Sequence, residues 1–408
     1  LTRTEKHIIT KHNQNWKNID NLCFLSKNLY NASIYTIKQT KESTGKIIRY
    51  NDLEKLLRIS NNPDYIALPS NSSQQILMVI DQSLTSFFKL LSKWKQNKKS
   101  LTGCPQFPHY KHKIKGRNIV IFTTNQAKLK NGFIHFPKKS KLIPIKTNIQ
   151  GTLRQVRLIP LSGCYKIEVV YDKEIQTKIE PNENWMSIDL GINNLATTFD
   201  TVTNSSLIIN GEPLKSINQY YNKKKSKIQS ELKIKHNKNY SNRLNKLTIK
   251  RNNKIENYLH KTSRIIVDYC IEKNIYNLVI GYNKEWKQGV SLGRKTNQSF
   301  VNIPYMKLIG MIEYKGIEVG MNVVINEESY TSKCSALDLE ELNKQENYVG
   351  RRKHRGLFVT SKGLRINADE NGAMNILRKV SPNKVQDIVQ TLRSRGQIDW
   401  PVKKQIAV

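Results

Sequence analysis

Between residues 185 and 210 the chain holds three short apolar runs, "WMSIDLG", "NLATTFD" and "SLIING", each closed by turn residues. A charged helical stretch from roughly 212 to 272 separates them from a fourth run, "YNLVIG". A helix over 304 to 319, the strand "MNVVIN", a polar loop and a helix over 370 to 379 follow. Three opening strands followed by alternating helix and strand leave few options. They suit an α/β domain whose sheet mixes antiparallel and parallel pairs.

That order is the RNase H-like arrangement, and it begins at Trp185, after the polar linker "IEPNENW". Upstream, residues 5 to 15 read as a strand and 16 to 41 as a helix carrying Leu22, Leu25, Leu29, Ala32 and Ile37 on one face. In "SNSSQQILMVIDQSLTSFFKLLSKWKQNKK", Ser70 or Ser72 caps a second helix whose stripe runs from Ile76 to Leu91. Pro105 and Pro108 end the helical block, and "NIVIFTTNQAKLKNGFIHFPK" and "GTLRQVRLIPLSGCYKIEVVYDK" alternate as strands joined by Asn-Gly and Ser-Gly turns. The chain therefore reads as multidomain α+β. A small β domain spans 1–15 and 105–180, a helical block spans 16–104, an α/β domain spans 181–380, and 381–408 is a C-terminal tail.

Lys and Arg number 68 against 32 acids in 408 residues, a net charge of +36. The basic residues run along the whole chain, with no 18-residue apolar span, so the partner is expected to be nucleic acid rather than a membrane. The start "LTRTEKHIITKHNQNW" has no apolar h-region, and the five cysteines are scattered without a CxxC pair. A cytoplasmic, nucleoid-associated protein with reduced thiols is expected. Lys223, Lys224 and Lys225 lead a basic run suited to phosphate contact, and a solvated helix face is the alternative. In "QFPHYKHKIKGR", Tyr110 interleaves with Lys111, Lys113, Lys115 and Arg117, a pattern that stacks bases and holds a backbone. A packed domain junction is the equal alternative there. Arg351, Arg352 and Arg355 can clamp a phosphate or simply solvate a loop.

The carboxylates point to chemistry. Asp189 ends the first strand of the α/β domain, Asp369 opens the last helix, and Glu327 and Glu328 follow "VVIN". Singly, each is a turn former, an N-cap or a loop acid. Together, Asp189 and Asp369 could supply two of the three or so convergent carboxylates that phosphodiester hydrolysis by two magnesium ions needs, because hard cations take oxygen ligands and a pair of ions holds both attacking and leaving oxygens.

The segments "SIDLGINNLATTFD", "LVIGYNKEWKQ", "NQSFVNIPYMKLIGMIEYKGIEVG", "EESYTSKCS", "RRKHRGLF" and "INADENGAMNILRK" resemble, in order, the TnpB proteins of insertion sequences, relatives of Fanzor and type V CRISPR effectors. "LCFLSKNLYNASIY" and "QFPHYK" extend the resemblance towards the amino terminus. It implies a β-barrel wedge domain with an inserted helical recognition lobe, then a RuvC nuclease domain carrying a basic helical insertion at 212–272. It further implies a guide RNA from the transposon end, a target double-stranded DNA cut beside a short adjacent motif, and two Mg2+ ions. Asp189 and Asp369 match the first and last RuvC aspartates.

Two departures are visible. Gly281 stands where the family's second motif places Glu, and Glu328 matches the relocated glutamate of members with a rearranged site. Successive residues of an extended chain face opposite ways, so one of Glu327 and Glu328 is expected to ligate, with Glu328 preferred and Glu327 or Glu285 as substitutes. The paired cysteines of the family's zinc ribbon are missing, with Cys334 alone, so no zinc and a compact loop at 334–358 are expected. The reading is a magnesium-dependent, RNA-guided endonuclease, a monomer or weak dimer. Its rivals are a type V CRISPR effector, a nuclease-dead RNA-guided regulator, a plain RNA-binding protein and a DDE-type transposase.

Overall fold

The computed structural model describes residues 1–283, 302–354, 356–395 and 400–406, and the chain divides into two compact units, Thr2–Glu174 and Ile175–Val408. In the first unit, strand β1 (Thr2–Ile9) leads into helices α1 (Trp16–Thr44), α2 (Tyr50–Ile59), α3 (Pro63–Ile66) and α4 (Ser70–Gln96). Six strands follow: β2 (Val120–Thr123), β3 (Lys128–Lys130), β4 (Phe133–His135), β5 (Ile145–Lys146), β6 (Thr152–Leu161) and β7 (Cys164–Asp172).

The order β1-β7-β6-β2 makes an antiparallel four-stranded sheet, and β3-β4-β5 makes a separate three-stranded one. Among the described residues these sheets stay open, unlike the barrel expected from the resemblance, since β1 and β2 end their sheet without pairing to each other. The helical block is no separate core either. Ile19, Leu29, Ile76 and Leu84 of the helices share one cluster with Val120, Phe122, Val156 and Ile167 of the sheet. Burying one face of each element in common is what makes the unit a single packed body.

The second unit is built on a six-stranded sheet in the order β12-β11-β8-β9-β10-β16. Its strands are β8 (Trp185–Leu190), β9 (Asn194–Asp200), β10 (Leu207–Asn210), β11 (Asn277–Gly281), β12 (Asn322–Asn326) and β16 (Val402–Lys404). The hairpin order runs β8, β9, β10 antiparallel, whereas β11 lies parallel to both β8 and β12, as the mixed sheet read from the sequence requires. Helices α5 (Glu212–His236) and α6 (Asn242–Glu272) form the basic insertion, and α7 (Tyr305–Glu318) connects β11 to β12.

Beyond β12 come β13 (Arg351–His354), β14 (Leu357–Val359), β15 (Arg365–Asn367), α8 (Ala368–Val380) and α9 (Pro382–Arg395). The segment expected to be a compact loop, 334–358, contributes β13 and the start of β14 to a small antiparallel sheet, β13-β14-β15. The expected tail is also structured, because α9 buries Val385, Val389 and Leu392 beside α8 and β16 pairs parallel with β10.

Both faces of the large sheet are covered, so its central strands are largely apolar and buried on both sides. Met186, Ile188 and Leu190 of β8 pack towards α6 and α7 with Leu259, Ile266, Leu308 and Ile312. The opposite face presents Phe199 and Val279 to Ala373, Ile376 and Leu377 of α8. Because side chains alternate along a strand, Ser187 and Asp189 lie on the α8 face. Ser187 confirms it, donating to the Ala373 carbonyl at 2.6 Å.

Candidate active site

Parallel pairing puts the carboxyl ends of β8, β11 and β12 on the same side of the sheet. Asp189 sits in β8 one residue before its end, Gly281 closes β11, and Glu327 and Glu328 follow the last residue of β12. Into this crevice runs the start of α8. Its cap is Asn367, whose Oδ1 accepts from the Asp369 and Glu370 amides at 3.0 and 3.4 Å. Asp369 is therefore not the N-cap, and its carboxylate is available to the site. Its Oδ2 accepts from Asn194 Nδ2 at 2.7 Å and its Oδ1 from Arg352 on β13 at 3.3 Å.

Two glycines set how closely these groups approach. A Cβ on Gly372 of α8 would lie 2.6 Å from Asp189 Oδ2, so a side chain there would push the helix off the aspartate. Glycine in a helix interior costs about 1 kcal/mol relative to alanine, which this approach offsets. A Cβ on Gly281 would lie 2.7 Å from Glu328 Oε2 and 2.5 Å from Ile376 Cδ1. The Glu328 carboxylate thus reaches from beyond β12 into the volume that a side chain on β11 would take. The space that residue type 281 leaves open is filled by an acid supplied from the next strand.

Electrostatics tie Asp189 to the other two acids. Burial, with the Glu328 and Asp369 charges beside it, holds the Asp189 carboxyl well above the usual range, and Arg352 opposes the shift. Burial also pushes Glu328 up to about 7, helped by Glu327 and opposed by Lys379. Its Oε2 is enclosed with no hydrogen-bond partner among the described residues. Glu327 behaves differently. It is exposed, pairs with Lys379 at 3.1 Å and accepts from the Ser329 amide at 2.8 Å, which helps keep its carboxyl low. The two adjacent glutamates face opposite ways, one into the crevice and one to a surface lysine.

A carboxylate oxygen enclosed without a partner among the described residues, and a buried Asp189 carboxyl raised further by the Glu328 and Asp369 charges, fit a hard divalent cation, which would relieve both. As the side chains stand, no group of three or more His, Cys, Asp or Glu among the described residues is gathered tightly enough to hold a metal ion.

The loop carrying Glu328 is pinned from α8. Thr331 Oγ1 donates to the Glu328 carbonyl at 2.8 Å. Asn375 Nδ2 donates to the Thr331 and Cys334 carbonyls at 2.9 and 2.7 Å, and Asn371 exchanges bonds with the Cys334 carbonyl and the Ala336 amide at 2.9 Å each. Both asparagines are fully buried. Neither was singled out from the sequence, nor were Asn194 and Gly372. The signal was available, since "NGAMN" places two amides four residues apart in a helix whose remaining face is apolar. Cys334 is buried, with Sγ 3.3 Å from the Glu341 carbonyl, and His354 is exposed on β13.

The expected nucleic-acid residues fare unevenly. Lys223 and Lys224 are exposed on α5, Lys225 is half-buried there, and the latter two ammoniums lie over the rings of Tyr220 and Tyr221. Arg351 and Arg352 are exposed on β13, Arg352 facing Asp369. Tyr110 is 47% exposed with Lys38 over its ring, and Lys113 and Lys115 are exposed. Lys111 lies over Tyr30, where burial lowers its proton affinity. Arg117 departs from the expectation. Its guanidinium makes a two-pronged bond to Asp20 at 2.9 and 2.8 Å, which commits it to packing within its own unit. Glu285 and Arg355 lie outside the described residues.

The family described as "Probable transposase" (OrfB_IS605) matches residues 164–287, and the one described as "Cas12f1-like, TNB domain" matches residues 305–376. A TnpB-like protein, ORF457 of Acidianus two-tailed virus, is 33% identical over 90 residues, which span 22% of this chain and only 18% of that relative. The fold is similar to the cryo-EM structure of a Cas12f1-sgRNA-target DNA complex, with a TM-score of 0.51 and 14% identity over 88% of this chain and 81% of that one. The likeness is one of fold, a mixed α/β multidomain chain.

Proposed function

Since the two family matches, the viral relative and the solved fold together support a TnpB-family protein, we propose that this chain is an RNA-guided DNA endonuclease of transposon origin. The observation that carries the nuclease reading is the arrangement of Asp189, Glu328 and Asp369 at one end of the sheet, with Gly281 making room for the second of them. A net charge of +36 suits binding to both a guide RNA and a DNA strand. The fold neighbour's guide RNA and target DNA are the partners proposed here.

Asp189, Glu328 and Asp369 are the residues proposed to hold two Mg2+ ions. Bound there, the ions would supply Lewis-acid activation of a water and neutralise charge on the scissile phosphate. The chain's own part is positional. Glu328 Oε2, which has no hydrogen-bond donor among the described residues, keeps its lone pairs for an incoming cation. Asn194 fixes the Asp369 carboxylate through Oδ2. Gly372 lets α8 close on Asp189, so that both aspartates stay in the same crevice. Arg352, now on Asp369, is a cation able to meet a phosphate that enters beside it. Lys223, Lys224, Lys225, Arg351, Lys113, Lys115 and Tyr110 are proposed to follow the nucleic-acid backbone.

The test is guide-dependent cleavage of a matched plasmid in magnesium by the full chain, purified with RNA transcribed from the flank of its element. Wild type should cut and Glu328→Gln should bind the target without cutting. Normal cutting by Glu328→Gln would remove this residue from the site. A type V CRISPR effector with the same chemistry is the second reading, favoured by the Cas12f1-like match. A non-cleaving RNA-guided regulator is the third, and target binding without cleavage by the wild type would select it.

A further inference from the structure

Helices α5 and α6 run against each other and leave a cleft of about 470 Å3 between them. Its α5 wall is formed by Ile217, Tyr220 and Tyr221, one turn apart, and its α6 wall by Lys250, Arg251 and Lys254, again at helical spacing. The volume falls in the range of small-ligand sites.

Three features make the cleft more than a packing seam. Tyr220 is 61% exposed at the rim, with the ammonium of Lys224, itself an exposed side chain, 5.8 Å from its ring centroid, so the ring is reachable from solvent and already has a cation beside it. Arg251 lies over the Tyr221 ring, 5.5 Å from its centroid, and is locked there. It donates to Asn218 Oδ1 at 2.8 and 2.6 Å, to the Asn302 carbonyl at 2.9 Å and to Asn252 Oδ1 at 3.0 Å. Such anchoring is how a binding group is held ready rather than left to fluctuate. Lys250 and Lys254 are exposed on one face of α6, and no acid among the described residues lines the cleft with them; of the acids of these helices, Glu231 pairs with Arg243 at 3.3 Å, Glu256 with Lys307 at 2.9 Å and Asp268 with Arg264. The cleft is therefore an aromatic and aliphatic slot whose α6 rim is cationic.

We propose that this cleft holds one unpaired nucleotide of a bound single strand, its base stacked on Tyr220 and its phosphates met by Lys250 and Lys254. A flat ring beside ammonium groups is the chemistry that takes a base and its backbone without reading sequence. The site rests on the nucleic-acid reading above and narrows it. Guide RNA and displaced DNA share this ligand chemistry, so the strand is assigned by experiment.

The test uses the full chain with fluorescent oligouridylate and oligodeoxythymidylate, titrated over a range of salt. Tyr220→Ala should weaken at least one of them by about five- to a hundredfold, the loss of one stacked base. Tyr220→Phe, which keeps the stacking face, should bind like wild type. Lys250→Ala combined with Lys254→Ala should reduce the salt slope by about 1.4 units, two phosphate contacts on a single strand. Because Tyr220 is largely exposed, its truncation leaves the fold intact, which a thermal melt checks. Loss confined to oligouridylate assigns the cleft to RNA, and loss confined to oligodeoxythymidylate assigns it to DNA. If wild type binds and Tyr220→Ala binds equally well, the cleft is a packing groove and the proposal falls alone. If wild type binds neither strand, the nucleic-acid reading falls and takes the cleft with it.

Discussion

Glu328 Oε2 lies 2.7 Å from where a Cβ on Gly281 would be. The two positions, one closing β11 and the other two residues beyond the end of the adjacent parallel strand β12, therefore compete for one volume. An acid at one requires a residue without a side chain at the other. Gly281→Ala should accordingly push against Glu328 and Ile376. Overpacking of this kind costs about 1–3 kcal/mol. We expect a melting temperature lower by several degrees, at about 2–4 °C per kcal/mol, and a larger loss in cleavage. Unchanged melting and cleavage together would mean that the two side chains yield freely.

The neighbouring glutamates should separate cleanly in assay. Removing a group that merely supports a metal ligand costs about 10–100-fold, so Glu328→Gln, as a ligand itself, should lose more than about 100-fold in magnesium-dependent cleavage. Its magnesium-induced rise in melting temperature should shrink as well. Glu327→Gln gives up only an exposed pair with Lys379, worth about 0–1 kcal/mol, and should cut within a few-fold of wild type. Side-by-side titrations with magnesium would reveal a reversal of this order, which would move the ligand to Glu327.

In the first unit, Asp20 and Arg117 predict a pH dependence. The Arg117 hydrogen bond, with further help from Tyr165, holds the Asp20 carboxyl below its usual value of 3.8 despite partial burial. A depressed acid adds stability that is complete above the unfolded value and is lost as pH falls through the folded one. Arg117→Gln should therefore lower the melting temperature at neutral pH, and the gap from wild type should narrow in acid, below the unfolded Asp value of about 3.9. Nucleic-acid affinity should change little, since this guanidinium is already bonded. A large affinity loss without a stability change would return Arg117 to the backbone-contacting set.

How far the sequence could be read follows from these cases. The order of β8 to β12 was legible because a buried sheet writes short, largely apolar strands, and Asp189 because an acid at such a strand end stands out. Glu328 was legible only beside the vacancy at Gly281. The engagement of Arg117 was not, because Asp20 is 97 residues away and its pairing is a tertiary fact. The expected C-terminal tail hid α9 and β16 for a similar reason: β16 is a short, exposed strand whose partner β10 lies far back in the chain. The open sheets of the first unit were likewise invisible, since alternation gives strands and turns but not closure.

The asparagines of α8 carry the last prediction. Asn371 and Asn375 tie the Thr331–Ala336 segment to the helix that bears Asp369, so the helix and the Glu328 loop are one mechanical piece. Asn375→Ala would leave the Thr331 carbonyl and one bond of the Cys334 carbonyl unmet in a buried setting. Unmet buried groups cost about 1–3 kcal/mol each, but the loop has an outlet, because it can move away from α8 into solvent. Amides 331 to 336 should then lose protection from hydrogen exchange while those of β8 and β11 keep theirs. Cleavage should fall more than target binding, because Glu328 is displaced while the basic surfaces are untouched. If protection falls across the whole sheet instead, the asparagines support the fold generally; if it does not change, the loop is held by its own turn at Thr331.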